Sequence, residues 1–320
     1  MGKEFHHKKF QLTVADAERT RRKLDGVILE TPVLASKATP GVSFKPETLQ
    51  VTGSFKIRPA YSQMIALTAA QLRAGIVTSS SGNFAQATAY AASLLGVSAK
   101  IVMMRSSNPL KVKRTQRFGG EVVFCDDRFE ARAEEVARIR DAETRTEIFP
   151  YDHPEAIAGN ASSGFEMIEQ CPQVQHIVVP ISGGGLISGI AWAVKERRPD
   201  VLIWGVQPTG SNATFLSFQR GKPTSIGRAQ TIADGLQVTQ PGQLTFPLIQ
   251  RYVHDVVQVE EASILHAVRV LAEEEKLVVE PSGAVTLAAV LGGKVPASNT
   301  TCFLSGGNIS RDVLRAALEE

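Results

Sequence analysis

The sequence predicts an α/β protein built of two doubly wound domains with mainly parallel sheets. Three observations predict it. Short β-branched runs alternate with longer amphipathic stretches along the chain, the pattern of parallel strands joined by helical crossovers. Several of these apolar runs pass through loops of Gly, Ser and Asn directly into a helical pattern. The length of 320 residues, with 43% hydrophobic and 21% charged side chains, suits about two globular domains with substantial cores.

Taken in order, "TVADAERTRRKL" opens with Thr13 and has Asp16 three residues on, a capping-box-like helix start. "GIVTS" (75–79) reads as a buried strand, and "NFAQATAYAASLLG" as a helix stopped by Gly96. "AKIVMM" (99–104) is a strand, "NPLKVKRTQRFG" a helix and "EVVFC" (121–125) a strand. "FEARAEEVARIRDAE" is a helix with acidic residues early and basic ones later. "HIVVPI" (176–181) is a strand, followed by a glycine loop and the helix "LISGIAWAVKERR". "VLIWGV" (201–206), "DVVQV" (255–259) and "TTCFLS" (300–305) are further strands, with one helix, "EASILHAVRVLAEEE", between the last two. Its Glu273, Glu274 and Glu275 read as a solvated helix end.

Composition excludes several function classes. A net charge of +3 is too mild for nucleic-acid binding, and no basic run is interleaved with aromatics. No apolar stretch approaches the roughly 20 residues of a membrane span. The polar start "MGKEFHHKKF" lacks the apolar core of a signal peptide. Cys125, Cys171 and Cys302 are odd in number and widely spaced, which argues for a reducing, cytoplasmic compartment. None forms a CxxC zinc motif, and His6 and His7 read as a solvated tail rather than a metal pair.

In doubly wound sheets ligands sit at the carboxyl ends of strands. "ISGGGLISG" (181–189) follows a strand, and its glycines aim backbone N–H groups inward at a helix N-terminus. That makes a phosphate cradle, although a plain glycine turn has the same composition. Neither G-x-G-x-x-G nor the P-loop pattern fits, which excludes a dinucleotide or ATP. "SSSGNFAQ" (79–86) offers more hydroxyls and amides than capping needs, and suits a carboxylate. "LSGGN" (304–308) aims a neutral hydroxyl into the same cleft. "VTGSFKIRPAY" (51–61) sets Lys56 behind a small-residue turn, either as a surface lysine at a helix start or as an amine held at a cofactor.

"TGSFKIR", "SSGN", "SGGGLISG" and "LSGGN", in this order and spacing, resemble the fold-type II (tryptophan synthase β-like) pyridoxal-phosphate enzymes, specifically threonine/serine dehydratases and serine racemases. "ETPV" (30–33), "IAGNASSGFEM" (157–167), "IADG" (232–235) and "VEPSGA" (279–284) fit the same family, so the resemblance covers nearly the whole chain. It implies pyridoxal 5'-phosphate as cofactor. Lys56 would form its Schiff base and then act as base at the substrate's α-carbon. Phe55 would pack on the cofactor ring. Ser182, Gly183, Gly184, Gly185 and Leu186 would hold the phosphate, with Ser182 where the family has a first glycine. Asn83 would bond the ring hydroxyl, Ser305 the pyridine nitrogen, and Gly235 and Glu280 would approach the cofactor. A hydroxyl at the pyridine nitrogen makes a weaker electron sink than a carboxylate partner would, which suits prompt loss of a β-leaving group.

Ser80, Ser81, Gly82, Asn83 and Phe84 would bind the substrate carboxylate, and Arg132 would line the entrance. Racemases of the family carry serine at the Ser81 position as an acid/base opposite the lysine, whereas dehydratases often have alanine there. The resemblance therefore implies α,β-elimination of a β-hydroxy amino acid to a 2-oxo acid and ammonia, with a serine-type racemase using Lys56 and Ser81 as the alternative. A non-catalytic phosphate-metabolite binding protein is the rival from another class. Two departures stand out. Phe84 replaces the family's histidine, which suggests a bulkier or aromatic β-substituent, as in phenylserine, or simple packing at the helix start. Gln207 and Ala213 replace the carboxylates of a cation site, so no metal is expected. Residues 50–150 would form a small mobile domain closing over the substrate, and 1–49 plus 151–320 the large domain. The chain ends soon after "LSGGN", so no C-terminal regulatory domain is expected. A homodimer is expected from the family.

Overall fold

The structure is a computed structural model that describes residues 12–128 and 130–319. His6 and His7 lie outside the described residues. Two sheets carry the fold. The larger contains β1 (Leu34–Ala35), β2 (Val42–Pro46), β7 (His176–Pro180), β8 (Leu202–Pro208), β9 (Asp255–Val259) and β10 (Thr300–Leu304), in the order β1-β2-β10-β7-β8-β9. All neighbours are parallel except β1 and β2. The smaller contains β3 (Ile76–Ser79), β4 (Ala99–Met104), β5 (Glu121–Cys125) and β6 (Thr146–Glu147), in the order β5-β4-β3-β6, parallel throughout. Each strand expected from the sequence is present to within two residues.

Helices cover both faces of both sheets, so the strands divide their apolar residues between two cores. Val178 of β7 packs on one side of the large sheet with Val206, Cys302 and Leu304. Its neighbours Ile177 and Val179 pack on the other with Ile203 and Phe303. A strand buried on both faces reads as an unbroken apolar run, and that signal located it. The small sheet does the same, with Val102 on one face and Ile101 and Met103 on the other. Thr13 caps its helix by accepting from the amide of Asp16, and Gly96 ends the helix Asn83–Leu94 with φ of +64°.

The structure corrects the sequence reading at three places. Two helices, Glu261–Glu273 and Pro281–Leu291, lie between β9 and β10, not one. The second has ten buried residues and hence no polar stripe to betray its period. The 17-residue helix Pro154–Gln170 escaped for the related reason that its buried positions include Asn160, Ser162, Ser163 and Glu166. Glu275 is not solvated. It is buried and accepts from the Ser36 hydroxyl and the amides of Lys37 and Ala38, pinning the turn after β1. Burial pushes its carboxyl up, and these donors more than offset that, leaving it below the ordinary carboxylate value.

Beneath the small-residue turn lies a buried charge cluster. Arg58 is fully buried and donates to both oxygens of Glu47, at 2.9 Å each, and to both oxygens of Glu166, at 2.6 and 2.8 Å. Lys45, equally buried at the centre of β2, pairs with Glu166 at 2.6 Å. Glu47 also accepts from Thr31. The four charges cancel and their polar atoms are met, the condition under which buried charge is tolerated. "ETPV", "FKIR" and "IAGNASSGFEM" thus converge on one scaffold, which ties residues 29–50 to the helices Ile57–Ile65 and Pro154–Gln170.

Candidate active site

The carboxyl ends of both sheets face a single cavity of about 760 Å³. Three loops open into it: 80–83 after β3, 182–184 after β7 and 305–308 after β10. The turn ahead of the helix Ile57–Ile65 adds Phe55 and Lys56. The cavity is lined by Phe55, Lys56, Ser80, Ser81, Gly82, Asn83, Phe84, Arg132, Ser182, Gly183, Gly184, Gly185, Leu186, Gly235, Glu280 and Ser305. Every site residue singled out from the sequence therefore lines the same space.

Local backbone demands explain the glycine loop. Gly184 has φ of +96°, a conformation that costs glycine nothing. A Cβ on Gly183 would fall 2.2 Å from the Tyr151 ring, and one on Gly185 2.7 Å from the Tyr151 carbonyl. The loop must be bare because Tyr151 wraps it. Its carbonyl side is anchored: the Gly183 oxygen accepts from the Thr245 hydroxyl at 2.6 Å and the Gly242 amide at 3.1 Å. Asp152 in turn holds the amides of Gln243 and Leu244. The first-turn N–H groups of the helix Gly185–Arg197 have no intrahelical acceptor and carry the positive end of its dipole. The loop and helix together are an anion cradle. Gln207 steadies its base, since its amide donates to the Ile181 carbonyl and accepts from the Phe215 amide.

Lys56 stands across the cavity. Its amine donates to the Pro150 carbonyl at 3.0 Å and lies 4.9 Å from the centre of the Phe55 ring and 5.7 Å from that of Phe84. Among the described residues no carboxylate is in salt-bridge contact with it. Burial drives its pKa down to about 8, against a partial pull upward from Glu280. Glu280 is pushed up to about 7 by burial and by the Asp234 charge, partly relieved by the Asn83 amide that donates to it at 2.7 Å. The cavity thus holds an amine that loses its proton more readily than an exposed lysine and a carboxyl that keeps its proton to higher pH than an exposed glutamate.

Asn83 is oriented at both ends, because its oxygen accepts from the Asn308 amide at 2.9 Å, and Asn308 also donates to the Thr52 carbonyl. The Ser305 carbonyl accepts from the Phe55 amide at 3.0 Å, which locks the third loop to the lysine turn. Phe84 is 2% exposed and packs with Ile57, Met64 and Ile76, so it fills the helix start and also lines the cavity. Ser81 bonds Ser107 at 2.9 Å, and Ser80 accepts from the Gly82 amide. Sequence reasoning missed Tyr151, Asn308 and Ser107. Asn308 sits inside the quoted "LSGGN" and could have been weighed with it, but no pattern marks the other two. An ion pair between Lys111 and Asp234 spans the two sheets at the cavity rim.

These residues fit pyridoxal phosphate. The bare glycine loop fits against Tyr151 with its helix N-terminus at the cavity, Ser305 lines the same space, and among the described residues no carboxylate is in salt-bridge contact with the lysine. Comparison with known proteins agrees. A family model described as "Pyridoxal-phosphate dependent enzyme" matches residues 24–307. The chain is 37% identical over 309 residues to an L-threonine ammonia-lyase of Thermotoga maritima, covering 95% of this chain and 77% of that one. It is 36% identical over 319 residues to a serine racemase of Arabidopsis thaliana, covering 96% of each. Maize serine racemase superposes with a TM-score of 0.90 at 34% identity, with 95% of both chains covered. With a site built to hold this cofactor and a match along most of its length, the chain belongs to the pyridoxal-phosphate-dependent enzyme family.

Proposed function

We propose that this lyase removes water from a β-hydroxy amino acid and releases a 2-oxo acid and ammonia. The observation that carries the reading is Lys56, a half-buried amine with no carboxylate in salt-bridge contact among the described residues and a pKa of about 8, facing an anion cradle across one cavity. When bound, pyridoxal phosphate links to an amine and withdraws electrons from the attached α-carbon. The remaining work falls to the chain. The cradle of Ser182–Leu186 binds the phosphate, Phe55 supports the ring, and Asn83, held by Glu280 and Asn308, presents an oriented amide. Ser305 would offer the ring nitrogen a hydroxyl, a neutral partner that does not hold a proton there as a carboxylate would. The Ser80–Phe84 loop, at the N-terminus of the helix Asn83–Leu94, binds the substrate carboxylate. Lys56 in its neutral form takes the α-proton. The β-hydroxyl leaves with one proton as water, a proton the Lys56 ammonium can return, and the released aminoacrylate tautomerises to an imine that one water hydrolyses to the oxo acid and ammonia.

The finer substrate reading rests on Phe84. Its ring near Lys56 makes the wall beside the β-carbon apolar and favours a β-substituent larger than hydrogen or methyl, such as the phenyl of phenylserine. We place residues 50–150 as the part that closes over the substrate, a division supported by the separate four-stranded sheet within it. Amino acid racemisation is the second reading, favoured by the Ser81 hydroxyl in the same cavity as Lys56. Oxo-acid and ammonia release, measured with chirality loss across threonine, serine and phenylserine of both configurations, tests all of this. Oxo-acid formation supports the lyase, chirality loss without it supports the racemase, and equal or lower turnover of phenylserine refutes the apolar pocket.

A further inference from the structure

Parallel neighbours β3 and β4 end side by side, with Ser79 in register with Val102 and the Ser80 amide donating to the Val102 carbonyl. Their strand-end loops therefore touch, which brings together two serines 26 residues apart: the Ser81 and Ser107 hydroxyl oxygens lie 2.9 Å apart. Ser81 lines the cavity and Ser107 does not. The loop that carries Ser107 is held at several points. The Arg105 amide donates to the Cys125 carbonyl, Ser106 to the Asp127 carboxylate and Ser107 to the Met104 carbonyl, while Asn108 caps the helix Pro109–Arg117. A serine hydroxyl otherwise samples three rotamers. A fixed partner at hydrogen-bond distance selects one.

We propose that Ser107 is a positioning residue that fixes the hydroxyl of Ser81 toward the amino acid substrate. The proposal rests on the reading of this cavity as an amino-acid site, and it holds whether Ser81 binds the carboxylate or moves a proton at the α-carbon. One ordinary hydrogen bond corresponds to about a fivefold effect.

The test is a double-mutant cycle in the holoenzyme with Ser107→Ala, Ser81→Ala and the pair, plus Ser107→Thr. Two quantities are read: kcat/KM for oxo-acid release from L-serine, and the dissociation constant of glycine, which has no β-leaving group. Ser107→Ala should weaken both about fivefold, lose that effect to less than about twofold when Ser81 is already alanine, and be restored by Ser107→Thr. An effect of Ser107→Ala that persists undiminished in the Ser81→Ala background overturns the proposal, because it would then act through the loop. So does a Ser107→Ala variant that matches the wild type in both quantities. If no protein releases oxo acid, the lyase reading fails, and the glycine cycle still decides the pairing of the two serines. Glycine that binds none of the proteins sinks the amino-acid site and the proposal together.

Discussion

Lys45 and Lys56 stand eleven positions apart, the first fully buried and the second half-buried at the cavity wall, and they live opposite lives. Lys45 sits in the four-charge cluster, where burial lowers its pKa and the adjoining Glu166 carboxylate, 2.6 Å away, works against the fall. Lys56 faces the cavity beside a backbone carbonyl and two aromatic rings, with no carboxylate in salt-bridge contact among the described residues. Burial alone therefore does not make a lysine chemically useful. What matters is whether the fold compensates the charge. The scaffold spends carboxylates on Lys45 and Arg58 and keeps Glu280 far enough away, and protonated enough, to leave Lys56 short of a counter-ion.

The comparison can be broken by exchanging the consequences. Lys56→Ala should lower turnover by about 10²–10⁴-fold or more and leave the purified protein without the cofactor's yellow colour, while its thermal midpoint changes little. Lys45→Ala should do the reverse. Removing one partner of a buried ion cluster costs about 3–5 kcal/mol, so the variant should unfold at much lower denaturant and keep its colour while folded. Gly183→Ala pushes a methyl toward the Tyr151 ring and should cost about 1–3 kcal/mol, read as weaker cofactor affinity by fluorescence titration.

A pH experiment sharpens the contrast further. In cofactor-free protein, acetylation of Lys56 followed by mass spectrometry should rise through about pH 8. In Glu280→Gln that midpoint should move lower, since the negative charge of Glu280 holds the amine's pKa up. The smallest effect concerns Glu275, whose carboxyl titrates below its unfolded value of 4.5. Its stabilisation is complete above that value and fades as pH falls through the lower folded value. Glu275→Gln should therefore lose about 1–3 kcal/mol near neutral pH and less in acid, as judged by urea unfolding at both.

The loops were legible in the sequence because their residue types are expensive or wasteful unless used. Four consecutive capping residues exceed what a helix start needs, whereas the three glycines and the lysine behind a tight turn gained meaning from standing in order with the other motifs. The strands of the sheet centres were legible as unbroken apolar runs. The scaffold was not, for a physical reason: a charged residue in sequence carries no mark of its future partner. Lys45 in β2, Glu166 inside a helix and Glu275 at a helix end all read as surface until the fold brings Arg58 or the 36–38 turn against them. The same holds for Ser107, whose link to Ser81 exists only because β3 and β4 are neighbours.

The central claim is that Lys56, and not the fully buried Lys45, bears the cofactor. Borohydride reduction of the holoenzyme followed by peptide mass spectrometry tests it directly. The account predicts one pyridoxyl group per chain, on the peptide containing Lys56. A pyridoxyl group on Lys45 or any other lysine, or none in a protein that retains activity, would contradict it.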